Sequence, residues 1–229
     1  MMTSAEFAKF FDHTILKPDA TAAEVLLLCA EAREAGFAAA CVAPCWVALA
    51  ADMLKSSGVV VASVVGFPHG NTLQQVKSRE TAESVALGAM EIDMVLNVGL
   101  AKDGAWERVE ADIRAVVKAA RIAPGVVVKV ILENALLTDE EKQTACRVCE
   151  AAGADFVKTS TGFAASGATV EDVVLMRRVV GNRLGVKAAG GIRDLATAEA
   201  MIAAGANRLG SSASLKILAA FNERAAHTP

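Results

Sequence analysis

Residues 124–163 read PGVVVKVILENALLTDEEKQTACRVCEAAGADFVKTSTGF and contain one complete unit of the architecture. Two apolar runs, at 126–132 and 155–159, flank a polar segment with helical periodicity. A capping box of Thr138 and Glu141 marks the start of that helix, and a glycine marks its end. Because apolar runs of this kind are typical of parallel strands buried on both faces, the stretch predicts a strand, a helix and a second strand.

The same unit recurs along the 229 residues of the chain. Seven glycines each follow an Ala-rich helical pattern and precede a short apolar run: Gly36, Gly58, Gly88, Gly125, Gly153, Gly181 and Gly205. Their spacing predicts about one strand, loop and helix per interval. The predicted strands lie at about 12–16, 38–43, 59–65, 91–97, 126–132, 155–159, 185–189 and 207–210. Helices are expected between them and at about 212–223, with further capping boxes at Thr21 with Glu24 and at Asn71 with Gln74.

Eight such units predict an α/β fold, a single-domain (β/α)8 TIM barrel over residues 1–229. A short extra N-terminal helix, from Ser4 to Phe11, would close the bottom of the barrel. A doubly wound parallel sheet is the competing fold. It is disfavoured because neither a G-x-G-x-x-G nor a Walker loop follows any predicted strand.

Composition excludes several classes of function. The formal charge is −3, from 23 Lys plus Arg against 26 Asp plus Glu, and there is no basic block, so we expect no nucleic-acid partner. The 54% hydrophobic content predicts a large core, but apolar runs such as 59–67 are far shorter than the roughly 20 residues of a spanning helix, so no membrane association is expected. The N-terminus has no apolar segment before its first acid, which predicts a cytoplasmic protein.

The cysteines and histidines do not form a metal-binding pattern. Cys146 and Cys149 make a C-x-x-C inside a predicted helix, without a second pair or a nearby histidine, so we interpret them as buried packing residues. The three histidines, at 13, 69 and 227, lack ligand spacing. We therefore expect neither a metal nor a cofactor.

Charged residues inside the apolar strands are the strongest functional signal. They are Asp93, Lys129, Lys158 and Lys187, on the fourth to seventh predicted strands. Any one of them could be half of a buried salt bridge. Three lysines against one acid predict a cationic excess, in which burial and like-charge repulsion favour a neutral amine. A neutral lysine amine attacks carbonyl groups and forms Schiff bases.

Two small-residue clusters complete the predicted site. GGIR (190–193) follows the seventh strand, and GSSAS (210–214) follows the eighth. Each alone is an ordinary turn signal, but in a TIM barrel these two loops commonly bind phosphate. The combination predicts an enzyme that acts on a phosphorylated carbonyl compound.

Eight motifs in this order resemble the deoxyribose-phosphate aldolase family along essentially the whole chain: DHTILKPDAT, CVAPCWV, VVGFPHG, EIDMVLNVG, VKVILE, ADFVKTSTGF, VKAAGGIR and LGSSASL. The resemblance implies a metal-independent class I aldolase that reversibly cleaves 2-deoxy-D-ribose 5-phosphate into D-glyceraldehyde 3-phosphate and acetaldehyde, in deoxyribonucleotide catabolism. It implies a phosphorylated sugar and an aldehyde as binding partners, and a homo-oligomer, either dimer or tetramer.

The resemblance also implies catalytic roles. Lys158 would form the Schiff base, and Lys187 would depress its pKa and assist proton transfer. Asp93 would act as the general acid and base on the C3 hydroxyl. Asp12 and Thr14 would belong to its proton relay, and Lys129 would give electrostatic support.

For the phosphate, the resemblance points to loop residues after the last three strands: Gly162, Gly190, Gly191, Ser212 and the amide of Ala213. Thr161 would lie near the sugar hydroxyls. Phe163 stands where some members place a lysine, and Arg193 is a substitute for that countercharge. Cys41, near the pocket, is interpreted as a packing residue. The sequence contains no tyrosine, so the C-terminal tyrosine lid of some members cannot operate.

Two other functions stay open on the sequence alone. One is a different Schiff-base barrel enzyme, transaldolase-like or a keto-acid aldolase, which the choice of acetaldehyde, pyruvate or dihydroxyacetone as donor would distinguish. The other is a sugar-phosphate-binding barrel without catalysis, which would require a damaged lysine pair.

Overall fold

A closed parallel barrel forms the centre of the molecule. The computed structural model describes residues 2–226. Each strand is hydrogen-bonded to its neighbours in sequence order, and the first strand also pairs with the last. The strands are β1 (Phe11–Ile15), β2 (Ala39–Val42), β3 (Val60–Val65), β4 (Glu91–Val95), β5 (Val127–Ile131), β6 (Phe156–Lys158), β7 (Gly185–Ala189) and β8 (Arg208–Ser211). All eight predicted strands are confirmed, and with them the (β/α)8 barrel.

Helices surround this barrel. Within residues 2–226 the α-helices are α1 (Ser4–Ala8), α2 (Ala22–Ala35), α3 (Val47–Leu54), α4 (Gln74–Ala86), α5 (Val98–Lys102), α6 (Trp106–Ala120), α7 (Asp139–Ala151), α8 (Val170–Val180), α9 (Leu195–Ala203) and α10 (Ser214–Ala226). Short 3-10 helices occur at Pro44–Trp46 and Asn134–Leu136. Two helices, α5 and α6, connect β4 to β5, where the sequence predicted one.

The extra N-terminal helix is shorter than predicted. It ends at Ala8, and Phe11 instead begins β1. Phe7 stacks on Phe221 of α10, with ring centroids 4.3 Å apart, and meets Phe11 edge to face at 5.2 Å. These aromatic contacts fix the helix against the barrel, so the turn after Ala8 delivers the chain directly into the first strand.

Two of the three predicted capping boxes are confirmed. Thr21 with Glu24 caps α2, and Thr138 with Glu141 caps α7. The box at Asn71 with Gln74 is wrong, because α4 begins at Gln74 itself and its side chain donates to Ala111 O on α6 (3.2 Å). Local capping rules therefore hold at the starts of α2 and α7, whereas the start of α4 carries a contact with α6 in place of a cap.

The interior of the barrel has an apolar part and a charged part. β2 and β3 contribute small apolar side chains, which pack together: Ala39, Cys41, Ala62 and Val64. The remaining strands contribute charged side chains, described below. Because alternate residues of a strand face the same side, this division follows from which residues occupy the inward positions of each strand.

Two further expectations concern the surroundings of the barrel. Cys146 and Cys149 are buried in α7, and burial raises the pKa of the Cys146 thiol to about 12. This confirms packing residues rather than reactive thiols.

No helix within residues 2–226 is both long and apolar enough to cross a bilayer. His227 and the rest of the tail lie outside the described residues.

Candidate active site

Six strands of the barrel contribute ionisable side chains that meet in its interior. They are Asp12 on β1, Glu91 and Asp93 on β4, Lys129 on β5, Lys158 on β6, Lys187 on β7 and Arg208 on β8. We call these seven residues the ionic cluster. The strand register sets Asp93 beside Lys129, and Lys158 beside Lys187. The predicted catalytic residues are thus brought together by the closure of the barrel.

Asp93 is the centre of the ionic cluster. Its Oδ2 accepts hydrogen bonds from Lys158 Nζ (2.8 Å) and from Lys187 Nζ (2.7 Å). Its Oδ1 accepts a third from Lys129 Nζ (2.8 Å). Asp93, Lys129 and Lys187 are fully buried, and Lys158 is only 3% exposed. One carboxylate therefore holds three ammonium or amine groups in a fixed arrangement with little water.

Two further acids complete the ionic cluster. Asp12 pairs with Lys187 through Oδ2 and accepts from Arg208 through Oδ1 (2.6 Å). Glu91 Oε2 accepts from Lys129 Nζ (2.5 Å) and from Arg208 (3.2 Å). The prediction of three lysines against a single acid is therefore wrong, because Asp12, expected only in a proton relay, and Glu91, at the start of β4, both pair with these cations.

The charge balance still favours one neutral lysine. The ionic cluster holds four groups that can be cationic, three lysines and Arg208, against three carboxylates. If all are ionised, one positive charge is uncompensated in a buried site, which is costly. Loss of one proton makes the two signs equal. The lysine that loses this proton is the one whose surroundings lower its pKa.

The pKa values single out Lys158. Burial lowers the pKa of its ammonium, and the charge of Lys187 lowers it further, although Asp93 opposes both. Burial also acts against the charge on Lys187, but Asp12 and Asp93 outweigh burial and raise the pKa. Despite burial, the surrounding lysines hold the pKa of Asp93 well below its usual range. Lys158 is therefore the lysine of the ionic cluster that gives up its proton most readily, whereas Lys187 holds its proton and Asp93 stays ionised.

Lys129 belongs to the stable part of the ionic cluster. Burial is outweighed there by Asp93, Glu91 and Asp12, which together raise the pKa of Lys129. The same kind of balance raises the pKa of Arg208, through Asp12 and Glu91. These two cations therefore remain charged and give the carboxylates their permanent partners.

A cavity of about 350 Å³ opens above Lys158 at the carboxyl ends of the strands. Its lining includes Lys158 but neither Lys129 nor Lys187. Five of the predicted binding residues line it, namely Thr161, Gly162, Gly190, Gly191 and Ser212, and so does Thr14, which was predicted for the proton relay. Lys158 is thus the lysine of the ionic cluster that a ligand in this cavity would meet.

The loops after β7 and β8 form one wall of the cavity. Gly190 has a φ of 86°, and a Cβ there would come within 2.9 Å of Gly167 Cα. Ser211 joins the two loops, since its Oγ donates to Ile192 O (2.7 Å). The Ala213 amide, predicted to face the phosphate, donates to this same Oγ (2.9 Å), so an anion would compete with that bond.

Three other predicted residues have clear positions. Thr14 Oγ1 donates to the backbone oxygen of Asp12 (2.8 Å), which places it beside the ionic cluster through the main chain rather than through a carboxylate. Cys41 is fully buried and burial raises the pKa of its thiol, in agreement with a packing residue. Arg193 lines the cavity rim next to Gly191, together with Lys17.

Sequence reasoning missed Glu91 and Arg208. Each is the first residue of its strand, where a charge is ordinarily solvated. A usable signal was present for one of them, because Glu91 and Asp93 are two residues apart and a strand presents such residues on the same face. For Arg208 no local pattern was available. Among residues 2–226, no group of three or more His, Cys, Asp and Glu is placed to hold a metal ion.

The fold and this site define a class of protein: a barrel enzyme of the lysine-dependent aldolase type, with its chemistry at the carboxyl ends of the strands. Residues 7–220 match the DeoC/LacD family of aldolases. The chain therefore belongs to that family.

Similar proteins agree in sequence and in structure. A deoxyribose-phosphate aldolase of Caldanaerobacter subterraneus subsp. tengcongensis is 56% identical over 92% of this chain and 91% of its own length. Its counterpart in Halalkalibacterium halodurans is 54% identical over 94% and 96%. The tetrameric deoxyribose phosphate aldolase of Aeropyrum pernix superposes with a TM-score of 0.91 at 34% identity, covering 98% of this chain and 94% of that one.

Proposed function

We propose that this aldolase reversibly cleaves 2-deoxy-D-ribose 5-phosphate into D-glyceraldehyde 3-phosphate and acetaldehyde through a Schiff base on Lys158. One observation carries the assignment of the nucleophile. Lys158 is the buried lysine that lines the cavity, and it shares Asp93 Oδ2 with Lys187 at 2.8 and 2.7 Å. An amine of lowered pKa beside a protonated one is suited to attack an aldehyde at neutral pH.

The first half of the reaction forms the covalent intermediate. The neutral amine of Lys158 adds to C1 of the open-chain sugar and gives a carbinolamine. The proton held on Lys187 assists loss of the hydroxyl as water, and a protonated Schiff base remains. Asp12 and Asp93 keep Lys187 protonated, because their charges raise its pKa.

The second half breaks the carbon–carbon bond. Asp93, which lies behind Lys158 rather than in the cavity lining, accepts the proton of the C3 hydroxyl through an intervening water, and the electrons of the C2–C3 bond move into the Schiff base. D-Glyceraldehyde 3-phosphate leaves, and an enamine remains on Lys158. Protonation of the enamine at C2 and hydrolysis then release acetaldehyde and restore the free amine. The charges of Lys129 and Arg208 support this sequence, because they keep the carboxylates of the ionic cluster ionised.

The wall of the cavity supports recognition of the phosphate. Gly190 and Gly191 present main chain without side chains, and Ser212 lies close to the N-terminus of α10. Backbone amides and a helix N-terminus favour an anion. Arg193 and Lys17, on the rim, supply positive charge in place of the lysine that Phe163 replaces.

Trapping the intermediate tests the proposal. Acetaldehyde with borohydride should ethylate Lys158, as identified by peptide mass spectrometry. Lys158→Leu should lose both the label and the release of D-glyceraldehyde 3-phosphate. Lys55→Leu, at an exposed lysine after α3, is the matched control and should retain both. A label on another lysine, or cleavage by Lys158→Leu, would contradict the assignment.

The substrate and the absence of a metal requirement are tested separately. The protein should release D-glyceraldehyde 3-phosphate from 2-deoxy-D-ribose 5-phosphate at the same rate with and without a chelator. It should use acetaldehyde as donor in the reverse direction, and neither pyruvate nor dihydroxyacetone. Loss of activity on chelation, or a preference for another donor, would overturn this part of the proposal.

We also propose that the chain forms a dimer or a tetramer. The Aeropyrum pernix relative is described as tetrameric, and this chain exposes large apolar side chains on its outer surface, among them Leu27, Leu73 and Ile122. Light scattering of the purified protein measures the mass directly, and a monomer at micromolar concentration would contradict the proposal.

A further inference from the structure

Glu133 is a buried carboxylate outside the ionic cluster. It follows β5 by two residues, is 5% exposed, and has left-handed backbone angles of φ 57° and ψ 62°. Residues other than glycine rarely adopt this conformation, and where they do so in a buried position the surrounding structure must enforce it. The contacts of Glu133 must therefore hold its backbone in this conformation.

The backbone on both sides of Glu133 is fastened to the end of β6. Leu132 N donates to Lys158 O (2.9 Å), and Asn134 N donates to Thr159 O (3.0 Å). These two bonds continue the β5–β6 pairing past the strand ends. The left-handed residue lies between them, at the place where the chain turns into the 3-10 helix Asn134–Leu136.

The side chain of Glu133 reaches the loop that carries the cavity wall. Its Oε1 accepts a hydrogen bond from Thr161 N (3.2 Å), and its Oε2 accepts a short one from Thr161 Oγ1. Thr161 is itself 7% exposed. A single carboxylate thus binds both the main chain and the side chain of one residue, three positions after Lys158.

The hydroxyl of Thr161 connects Glu133 to the backbone of Phe163. Since its proton is donated to Glu133, its oxygen is left to accept from Phe163 N (3.1 Å). Gly162, between them, has a φ of 88° and lies against Gly190, since a Cβ on Gly162 would be 4.0 Å from Gly190 Cα. Thr161, Gly162, Phe163 and Gly190 all line the cavity.

We infer that Glu133 is a positioning residue that fixes the Thr161–Phe163 turn in the shape required by the phosphate end of the substrate. This inference rests on the proposed function, because the proposed substrate supplies the phosphate. It predicts that loss of the carboxylate weakens binding of the phosphorylated substrate more than it affects the chemistry at Lys158.

A comparison of two readouts tests this. In Glu133→Ala, KM for 2-deoxy-D-ribose 5-phosphate should rise about tenfold, whereas the rate at which acetaldehyde and borohydride label Lys158 should change by less than about twofold. The labelling reaction contains no phosphate, so it reports the amine alone. An unchanged KM, or equal losses in KM and in labelling rate, would overturn the inference.

Three further variants distinguish the effect of the Glu133–Thr161 contact from the effect of the left-handed backbone at position 133. Glu133→Gln keeps an oxygen acceptor for Thr161 and should recover KM to within about threefold of the unmodified protein. Glu133→Gly accepts the left-handed backbone but loses the contact, so it should share the alanine defect. In a pair with Thr161→Val, Glu133→Ala should cost less than it does alone, since the bond from Thr161 Oγ1 is already lost and only the bond from Thr161 N is left to remove. Additive losses, or normal KM in the glycine variant, would contradict the inference.

The unmodified protein provides the reference for both proposals. If it fails to cleave 2-deoxy-D-ribose 5-phosphate, the proposed function fails and this inference fails with it. If it cleaves 2-deoxy-D-ribose 5-phosphate and Glu133→Ala binds this substrate normally, only the inference about Glu133 is lost.

Discussion

Two regions of this molecule bury a lysine against an aspartate, with opposite effects on the pKa of the aspartate. In the ionic cluster, Lys158 and Lys187 share Asp93. On the outside of the barrel, Lys77 of α4 donates to Asp112 of α6 (2.5 Å) and to Val95 O at the end of β4 (2.9 Å). Both regions are buried, so the difference between them comes from the number and arrangement of charges.

Burial dominates the outer pair, although the charge of Glu80 also acts on Lys77. Burial lowers the pKa of Lys77 and raises the pKa of Asp112, and each has the other as its main opposing charge. In the ionic cluster, by contrast, three lysines surround Asp93 and its pKa falls well below the usual range. The ionic cluster can therefore hold its carboxylates charged and still leave one of its lysines, Lys158, with a lowered pKa.

The largest effect is expected from removing the like charge beside Lys158. In Lys187→Leu the pKa of Lys158 should rise, because a neighbouring cation is lost and Asp93 has one partner fewer. At neutral pH a smaller fraction of Lys158 is then neutral, and the proton donor is also absent. We expect kcat/KM to fall about 10²-fold or more near pH 7.

The pH profile distinguishes this from simple structural damage. Since the amine of Lys158 acts unprotonated, the acidic limb of the profile of kcat/KM in Lys187→Leu should move to higher pH, and part of the loss should be recovered in alkaline buffer. Lys55→Leu serves again as the control with an unshifted profile. A loss of the same size at every pH would contradict the pKa argument.

A smaller and different effect is expected at the outer pair. Lys77→Met leaves Asp112 buried without its counter-charge, which should lower the free energy of unfolding by about 3 kcal/mol. Urea denaturation followed by circular dichroism measures this. The folded variant should keep kcat/KM within about threefold, because Lys77 is not part of the ionic cluster. A loss of activity without a loss of stability would show that the two regions are coupled.

The smallest effect is expected when both members of the outer pair are replaced. Lys77→Met with Asp112→Leu removes both buried charges, and its free energy of unfolding should lie within about 1 kcal/mol of the unmodified protein, or above it. The same urea experiment measures it. If the double variant is as unstable as Lys77→Met, burial does not dominate this pair, and the contrast with the ionic cluster would disappear.

The sequence predicted the fold more completely than the details of its connections. The strands were visible because both of their faces are covered, which forces apolar residues at successive positions. The failures lie where tertiary contacts decide. Gln74 begins α4 because its side chain binds α6, and Phe11 enters β1 because it packs against Phe7. Neither contact has a signature within a few residues of the chain.

The candidate site was predicted to the extent that its charges interrupt apolar strands. Asp93, Lys129, Lys158 and Lys187 satisfy that criterion. Glu91 and Arg208 stand at strand starts and Glu133 stands after a strand end, where charged residues are unremarkable. Their importance comes from partners such as Asp12, which lies 196 positions from Arg208 in sequence. That information exists only in the closed barrel.

The bonds between Asp12 and the last two strands have a consequence for biosynthesis. Lys187 and Arg208 reach Asp12 across the junction where β8 meets β1. A chain that still lacks this junction cannot bury Lys158 in the finished network, and its amine is then an ordinary protonated lysine in water. The lowered pKa of Lys158 should therefore arise only after β8 has paired with β1, and until then the amine reacts with aldehydes no faster than an ordinary solvated lysine.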